Sequence, residues 1–420
     1  MEEQKFDTIS ANLSPDRPIR STEFLRGRSA QLEDIVREPR HFHSVAFIYG
    51  HRGVGKTSLA RTAAQQVTKA DREHVYVACA PGSKMLHIFR EIGEELLKLI
   101  FRCGTFDTIQ KKVEVEFSFN PAIRASFEKK SPTLEPFDDA NGAVRVIRDL
   151  DGLLPDAEST VVVLDELEEL NDSDRTDLAF LIKQLGDQDF RTRFILVGIA
   201  ENVHELIGAH ESVPRYLKEV ALQPLSPQHL MDIVENAAKA IKVNISREIL
   251  IRVAIVGNGY PHFAHLMGKA LLTEAVISDE GEISKGVYKA GVARAVGDSL
   301  QELRVAYEAA TQRGQDYFKH LIWALAHSDI IDVRIDEWIR LYLELGSQLG
   351  WGEVPEKNLK TAIGNFKSDA YGRIIVNTPA RYGASEMRYR YKRFNNMLMR
   401  GHVRLQAESK GITLGKMPSL

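Results

Sequence analysis

Short apolar runs alternate with amphipathic helical patterns over the first half of the chain. Within these runs the apolar residues are consecutive, which is typical of parallel strands buried on both faces of a sheet. The runs lie at 45–50, 75–80, 161–166, 193–199 and 219–225. The segment VEVEFSF at 113–119 instead alternates with period two, which predicts an inserted surface hairpin or loop within about 103–140. The pattern predicts an α/β core built on a parallel sheet.

The pattern after residue 224 is helical, and the chain then ends in a mixed segment. Ser226 and Pro227 are a typical N-cap and first residue of a helix. Helical patterns continue to about residue 310, and three further ones precede two strand-like runs at 373–379 and 387–394. The predicted parts are a flexible lead-in at 1–20, the α/β core at 21–224 with its insertion, a helical segment at 225–305 and a C-terminal module at 306–420.

The composition is that of a globular protein. Hydrophobic residues make up 44% and charged residues 27% of the 420 residues. No apolar run approaches the roughly 20 residues of a membrane-spanning helix, and the first ten residues lack the features of a signal peptide. Two distant cysteines, Cys79 and Cys103, exclude a disulfide framework. We expect a soluble, cytoplasmic protein that does not bind membranes.

Charge is unevenly distributed along the chain. Residues 357–420 contain 13 Lys and Arg against 3 acidic residues, although the whole chain has a net charge of −3. Such segregation indicates a basic C-terminal module with an anionic partner, and the alternative is a solvated basic surface.

The strongest motif is a phosphate-binding loop. It matches G-x-x-x-x-G-K-[ST], between a predicted strand and a predicted helix, and its predicted nucleotide-binding residues are Gly50, Arg52, Gly53, Val54, Gly55, Lys56, Thr57 and Ser58. Glycines allow successive backbone N–H groups to face the phosphates, and the helix N-terminus favours their charge. Lys56 is expected to reach the β and γ phosphates, and the Thr57 hydroxyl to bind Mg²⁺. The motif predicts ATP and Mg²⁺ as cofactors.

A pair of acidic residues ends the buried run VVVL. Asp165 is expected to hold Mg²⁺ through water, and Glu166 to polarise the attacking water. The alternative is a buried strand followed by a solvated acidic turn. A base beside the metal ligand favours hydrolysis of ATP over binding alone.

Several stretches resemble AAA+ ATPases of the origin-recognition and initiator type. The segment Phe24–Arg28 resembles the family segment that lies against the adenine, which implies a nucleotide contact for Arg28. The stretch RFILVGIAENV resembles the strand that carries the first sensor residue, and the candidates are Glu201 and Asn202. Residues 213–216 resemble the segment of the arginine finger, so Arg215 is expected to enter a neighbouring subunit's site. The alternative is a structural arginine.

The helical segment at 225–305 resembles the family's lid. His262 occupies the position at which the second sensor arginine is expected. Since histidine is only partly charged near neutrality, either sensing by the lid is weaker or another basic residue has this role. Because histidine replaces the expected arginine, the segment is also similar to that of signalling STAND ATPases.

Three helices followed by two strands are the order of a winged helix, so 306–420 is predicted to be a winged-helix domain. The predicted DNA-binding residues are Lys357, Lys360, Lys367, Arg381, Arg388, Arg390, Lys392 and Arg393. Arg388, Arg390 and Lys392 alternate with tyrosines, which predicts basic residues on one face of a strand and rings on the other. The basic face is expected to contact phosphates.

These features predict an ATP-hydrolysing AAA+ protein that assembles as a homo-oligomer on double-stranded DNA in a nucleotide-dependent way, in replication initiation, in transposition, or in mobile-element or defence functions. Two alternatives remain open. One is a STAND-like signalling switch that gates a separate effector protein and uses the winged helix for docking. The other is a loader or scaffold that binds ATP with little turnover.

Overall fold

A computed structural model of the chain describes residues 2–19, 21–37, 45–68, 74–103, 105–115, 120–155, 157–188, 190–200, 213–312, 315–378 and 390–416. The described residues group into two compact units. One consists of residues 18–51 and 55–223, and we call it the core unit. The other consists of residues 1–17, 52–54 and 224–420, and we call it the helical unit.

The core unit is built on a five-stranded parallel sheet. Its strands are β1 (Val45–Tyr49), β2 (Val75–Ala78), β3 (Val161–Asp165), β4 (Arg193–Gly198) and β5 (Leu217–Ala221), in the spatial order β2-β3-β4-β1-β5. All five residues of β3 are buried, as expected for a central strand covered on both faces. The predicted strands and the α/β core built on a parallel sheet are confirmed.

This strand order brings the carboxyl ends of β1 and β3 to the same edge of the sheet, with β4 between them. Ligands of open α/β sheets bind at the carboxyl edge of the strands. The phosphate-binding loop follows β1 and Asp165 ends β3, so the topology brings the two motifs together.

Helices cover the sheet of the core unit. They are α2 (Ser29–Val36), α3 (Lys56–Val67), α4 (Met85–Arg102), α5 (Phe106–Val115), α6 (Pro121–Glu128), α7 (Ala140–Leu153) and α8 (Asp172–Asp187). The hairpin or loop predicted within 103–140 was wrong, because residues 113–115 belong to α5 and α6 follows it. Ile109 and Val113, four residues apart, are both buried. Burial of one helical face therefore prevails over the period-two pattern.

The helical unit contains ten helices among the described residues. They are α1 (Glu2–Asn12), α9 (Pro227–Ala240), α10 (Arg247–Gly257), α11 (Pro261–Ile277), α12 (Lys285–Gly297), α13 (Gln301–Thr311), α14 (Asp316–His327), α15 (Ile335–Leu349), α16 (Glu356–Asn365) and α17 (Met399–Glu408). A small antiparallel sheet has the order β6-β8-β7, with β6 (Val333–Arg334), β7 (Ile375–Asn377) and β8 (Tyr391–Phe394).

The flexible lead-in predicted at 1–20 was wrong for its first part. Residues Glu2–Asn12 form α1, which packs against α9 and α11. Ile9 is 1% exposed and Leu13 is fully buried. Two apolar residues four positions apart are enough to anchor a short helix when a partner surface is available.

Helix α17, which the sequence pattern did not predict, joins helices of the helical unit through buried arginines. The Arg404 guanidinium donates to the carbonyl oxygens of Ala326 (2.8 Å) and Ile255 (2.7 Å), which lie in α14 and α10, and to a carboxylate oxygen of Asp329 (2.7 Å). Arg400 donates to the carbonyl oxygen of Ile330 (2.5 Å). A buried guanidinium with several hydrogen bonds fixes the geometry of the backbone segments that it joins.

Among the described residues, no helix is long and apolar enough to cross a membrane.

Candidate nucleotide-binding site

The phosphate-binding loop connects β1 to α3, and three of its glycines have positive φ angles. The values are 146° at Gly50, 84° at Gly53 and 96° at Gly55, a region that side-chain-bearing residues rarely adopt. A Cβ atom on Gly50 would lie 2.5 Å from the carbonyl oxygen of Leu222. Gly55 is the N-cap of α3 and supplies no side chain to its first N–H groups. The amides at this helix N-terminus therefore suit an anionic ligand.

Lys56 is the first residue of α3 and is 8% exposed. Its ammonium group donates to the carbonyl oxygens of Gly50 and His51, both at 3.0 Å. The loop backbone thus encloses a positive charge on the side where phosphates are expected. The Ser58 hydroxyl accepts a hydrogen bond from the N–H of Ile19 at 3.1 Å.

Asp165 lies at the carboxyl end of β3 and is 3% exposed. One carboxylate oxygen accepts the N–H of Glu166 at 2.8 Å, and the other accepts the phenol of Tyr76 at 3.0 Å. A carboxylate has about four acceptor positions, so Asp165 retains capacity for metal-bound water. No motif in the sequence indicates this contact of Tyr76.

Glu166 is exposed and has a left-handed backbone, with φ 60° and ψ 40°. This conformation costs a non-glycine residue roughly 1–2 kcal/mol, and such outliers cluster at functional sites. With this backbone conformation the chain turns directly after Asp165, where β3 ends.

The acidic turn after β3 contains a further residue that the sequence analysis missed. The Glu168 carboxylate accepts the N–H of Ile199 at 2.9 Å, which ties the turn to the end of β4. The first-sensor candidates Glu201 and Asn202 follow shortly after Ile199, outside the described residues. An acidic residue three positions after Asp165 is the only sequence signal for this contact.

Arg28 and Arg215 lie in different surroundings. Arg28 is 5% exposed and donates to the carbonyl oxygen of Gln223 at 2.6 Å, and burial lowers its pKa to about 10. Arg215 is exposed on the short 3-10 helix Pro214–Tyr216, and it donates to the Tyr216 hydroxyl. That hydroxyl donates to Asp187 at 2.5 Å. The Arg215 guanidinium is thus oriented and accessible.

His262, which was predicted to occupy the second-sensor position, lies in the first turn of α11. Its Nδ1 is 3.2 Å from the carbonyl oxygen of Pro15, and burial lowers the pKa of the imidazole. A neutral ring that donates to a carbonyl does not supply the positive charge of the arginine expected at this position.

The predicted DNA-contacting residues divide into two groups. Lys357, Lys360, Lys367 and Arg390 are exposed, and Arg393 is half-buried. Lys360 and Arg390 line a surface cavity of about 410 Å³ together with Ile335 and Asp336. Arg381 and Arg388 lie outside the described residues.

Lys392 contradicts the predicted basic face. It is 3% exposed and donates to the side-chain oxygen of Asn377 at 2.6 Å, opposite it on β7. Tyr391 and Arg393 are less buried than Lys392 and Phe394, so at this end of β8 the inner face carries the lysine. Because Phe394 shares that face and packs inward, Lys392 is drawn in with it.

A match to a family of ATPases identifies the class of protein that this site defines. Residues 24–197 match the family model described as the AAA ATPase domain. No curated protein sequence matches the chain. Together with the loop after β1 and the carboxylate at the end of β3, the match defines an ATP-hydrolysing enzyme with a P-loop AAA+ fold.

Several solved structures are similar to this chain. The chain is similar to the Walker-type ATPase of Pyrococcus abyssi, with 16% identity, a TM-score of 0.51, and coverage of 93% of this chain and 99% of that chain. Two other similar structures come from Aeropyrum pernix. The ORC2 protein in ADPNP–ADP complexes has 14% identity, a TM-score of 0.48 and coverage of 96% of each chain. The ORC1 protein in complex with DNA has 15% identity, a TM-score of 0.43 and coverage of 96% of each chain.

Proposed function

We propose that the protein is an initiator-type ATPase that binds Mg²⁺–ATP and assembles as a homo-oligomer on double-stranded DNA, with ATP controlling its binding to the duplex. The nucleotide part rests on the loop geometry at Gly50–Thr57 and on the buried Asp165 at the same sheet edge. The DNA part rests on the exposure of four cations in the C-terminal module, which are Lys357, Lys360, Lys367 and Arg390.

The residues present fit a magnesium-bound nucleotide. Mg²⁺ prefers oxygen ligands and is usually held by one or two protein oxygens, waters and substrate phosphates. The Thr57 hydroxyl and the Asp165 carboxylate are such oxygens, and the bound ion would neutralise charge on the phosphates. Lys56 would hold the phosphate oxygens, and Glu166 would accept the proton of the attacking water.

The exposure and orientation of Arg215 support the proposal that a second copy of the chain completes the site. The guanidinium is exposed, and Tyr216 and Asp187 hold it in one orientation. An arginine presented in this way would enter the γ-phosphate site of a neighbouring copy and stabilise charge in the transition state. Hydrolysis would then depend on assembly.

The C-terminal module has an arrangement compatible with a winged helix. Helix α14, strand β6, helices α15 and α16, and strands β7 and β8 follow one another in the order of that motif. Helix α16 carries Lys357 and Lys360 about one turn apart, in the position of the recognition helix. Lys360 pairs with the exposed Glu356 at 2.6 Å, a contact that phosphates could replace because exposed ion pairs are weak. These cations would contact backbone phosphates and give affinity with little sequence preference.

A specific observation supports the alternative of a STAND-like switch. The neutral His262 bonded to Pro15 replaces the arginine that would couple the lid to ATP. In that alternative a protein partner, rather than DNA, would bind the C-terminal module.

The test of the DNA proposal is a triple variant, Lys357→Ala, Lys360→Ala and Arg390→Ala. We expect weaker binding to unrelated duplexes by similar factors, because phosphates carry no sequence information. The slope of log affinity against log salt should become shallower by roughly 0.9 for each phosphate interaction removed, up to about 2.7 for three. Measuring affinity for two unrelated duplexes at several salt concentrations checks this expectation.

The matched control removes three exposed cations elsewhere in the helical unit, with Arg247→Ala, Lys285→Ala and Lys289→Ala. It changes the net charge equally and should leave the slope nearly unchanged. Equal slopes in the two triple variants would contradict the proposed DNA surface. An unchanged DNA titration, together with failure to bind a partner protein, would support the signalling alternative.

A further inference from the structure

Tyr76 connects the second strand of the core unit to the carboxylate that ends the third. It pairs with Val163 in the parallel ladder between β2 and β3, and its side chain lies on the same face as that of Asp165, two residues further along β3. Diagonal neighbours on one face of a sheet are within reach of an aromatic side chain. The phenol donates to the Asp165 carboxylate at 3.0 Å.

A second contact is made to the face of the Tyr76 ring. Arg61 lies in α3, five residues after Lys56, and its guanidinium carbon is 3.7 Å from the centroid of the Tyr76 ring. A guanidinium over an aromatic face is an attractive arrangement. The helix that begins at the phosphate-binding loop is thereby connected to Asp165 through one ring.

The resulting geometry leaves Asp165 little rotational freedom. Its two oxygens accept from different donors, the N–H of Glu166 and the phenol of Tyr76. Hydrogen bonds to the outer side of a metal-binding carboxylate set its orientation and tune metal affinity.

We propose that Tyr76, held by Arg61, is a positioning residue that orients Asp165 for magnesium. The proposal rests on the proposed magnesium site at Thr57 and Asp165. Tyr76 acts only through Asp165, so removing its hydroxyl should affect the metal and leave metal-free nucleotide contacts unchanged.

The test is Tyr76→Phe, compared with the parent chain by titrating Mg²⁺ at fixed ATP. The readouts are nucleotide binding, followed with a fluorescent ATP analogue, and hydrolysis. We expect the Mg²⁺ concentration for half-maximal binding to rise about 10-fold or more, in the range known for outer partners of metal ligands. Affinity for the same analogue in EDTA should not change.

The matched control is Tyr49→Phe. Tyr49 belongs to the same sheet and its phenol also donates to a carboxylate, that of Glu219 at 3.2 Å. This carboxylate is not part of the proposed metal site, so the Mg²⁺ dependence should remain that of the parent. A second variant, Arg61→Met, removes the cation over the Tyr76 ring and should shift the Mg²⁺ dependence in the same direction but less.

The possible outcomes distinguish the inference from the metal site on which it rests. If the parent binds nucleotide independently of Mg²⁺, the proposed metal site is wrong, and the inference is wrong with it. If the parent depends on Mg²⁺ and both Tyr76→Phe and Arg61→Met match it, the inference alone is wrong. An equal loss of affinity in EDTA, or unfolding of Tyr76→Phe but not of Tyr49→Phe, would assign Tyr76 a merely structural role.

Discussion

Replacing Glu166 by glutamine is expected to preserve ATP binding and to lower the rate of hydrolysis by about 10²–10⁴-fold, the usual contribution of a general base. Glutamine has nearly the same shape but does not accept the proton of the attacking water. The phosphate-binding loop and Asp165 are unchanged, so nucleotide affinity should remain close to that of the parent. Steady-state phosphate release and equilibrium nucleotide binding together check this expectation.

Glu169→Gln is the control for this substitution. Glu169 is exposed in the same acidic turn, three residues after Glu166, and its replacement removes the same charge from the neighbourhood of the site. This variant should hydrolyse ATP at nearly the parental rate. A Glu166→Gln protein as active as the parent would mean that another group polarises the water.

The second large effect is expected from Arg215→Ala. Arginine fingers are worth about 10³–10⁵ in rate in the best-studied systems, so turnover should fall steeply while each chain binds ATP as before. Because the proposed finger would act in a neighbouring copy, mixing this variant with Lys56→Ala protein should restore part of the activity. Phosphate release by each variant alone and by the mixture measures this complementation.

An exposed arginine outside the proposed site provides the control. Arg145→Ala, on helix α7, should leave turnover unchanged. If oligomers form and the mixture of Arg215→Ala and Lys56→Ala remains inactive, Arg215 is a structural residue that holds Tyr216 and Asp187.

The sheet and the phosphate-binding loop could be predicted from the sequence because each produces a pattern within a short segment. Continuous apolar runs such as 161–164 identify buried parallel strands, and the spacing from Gly50 to Thr57 identifies the loop. The contact of Tyr76 with Asp165 could not be predicted in this way. Its contact joins residues 89 positions apart, and only the pairing of β2 with β3 brings the phenol to Asp165.

The basic module shows where a period-two pattern is insufficient. Alternation separates Arg390 and Lys392 from the tyrosines but does not say which face is buried. Phe394 lies on the same face of β8 as Lys392. Because Phe394 is buried, this face points inward and Lys392 is buried with it. Part of the positive charge of 357–420 is likewise internal, since Arg400 and Arg404 are 5% and 2% exposed and bond backbone carbonyls.

The predictions for the lead-in and the insertion failed for a related reason. Segments rich in polar residues contain few apolar positions, and whether these positions are buried depends on the surface that they meet. In and just after α1 two such positions, Ile9 and Leu13, are enough. Tertiary packing therefore decided the structure of both segments, against their local patterns.

The central claim is that ATP controls binding to duplex DNA, and one measurement tests it most directly. The affinity of the Glu166→Gln chain for a duplex is measured with ATP and Mg²⁺, with ADP and without nucleotide, at several salt concentrations. Coupling between two ligands is typically about 5–150-fold, and we predict tighter binding with ATP within this range, with affinity that falls steeply as salt rises. Equal affinity in the three nucleotide states, or no salt-dependent binding at all, would contradict the claim.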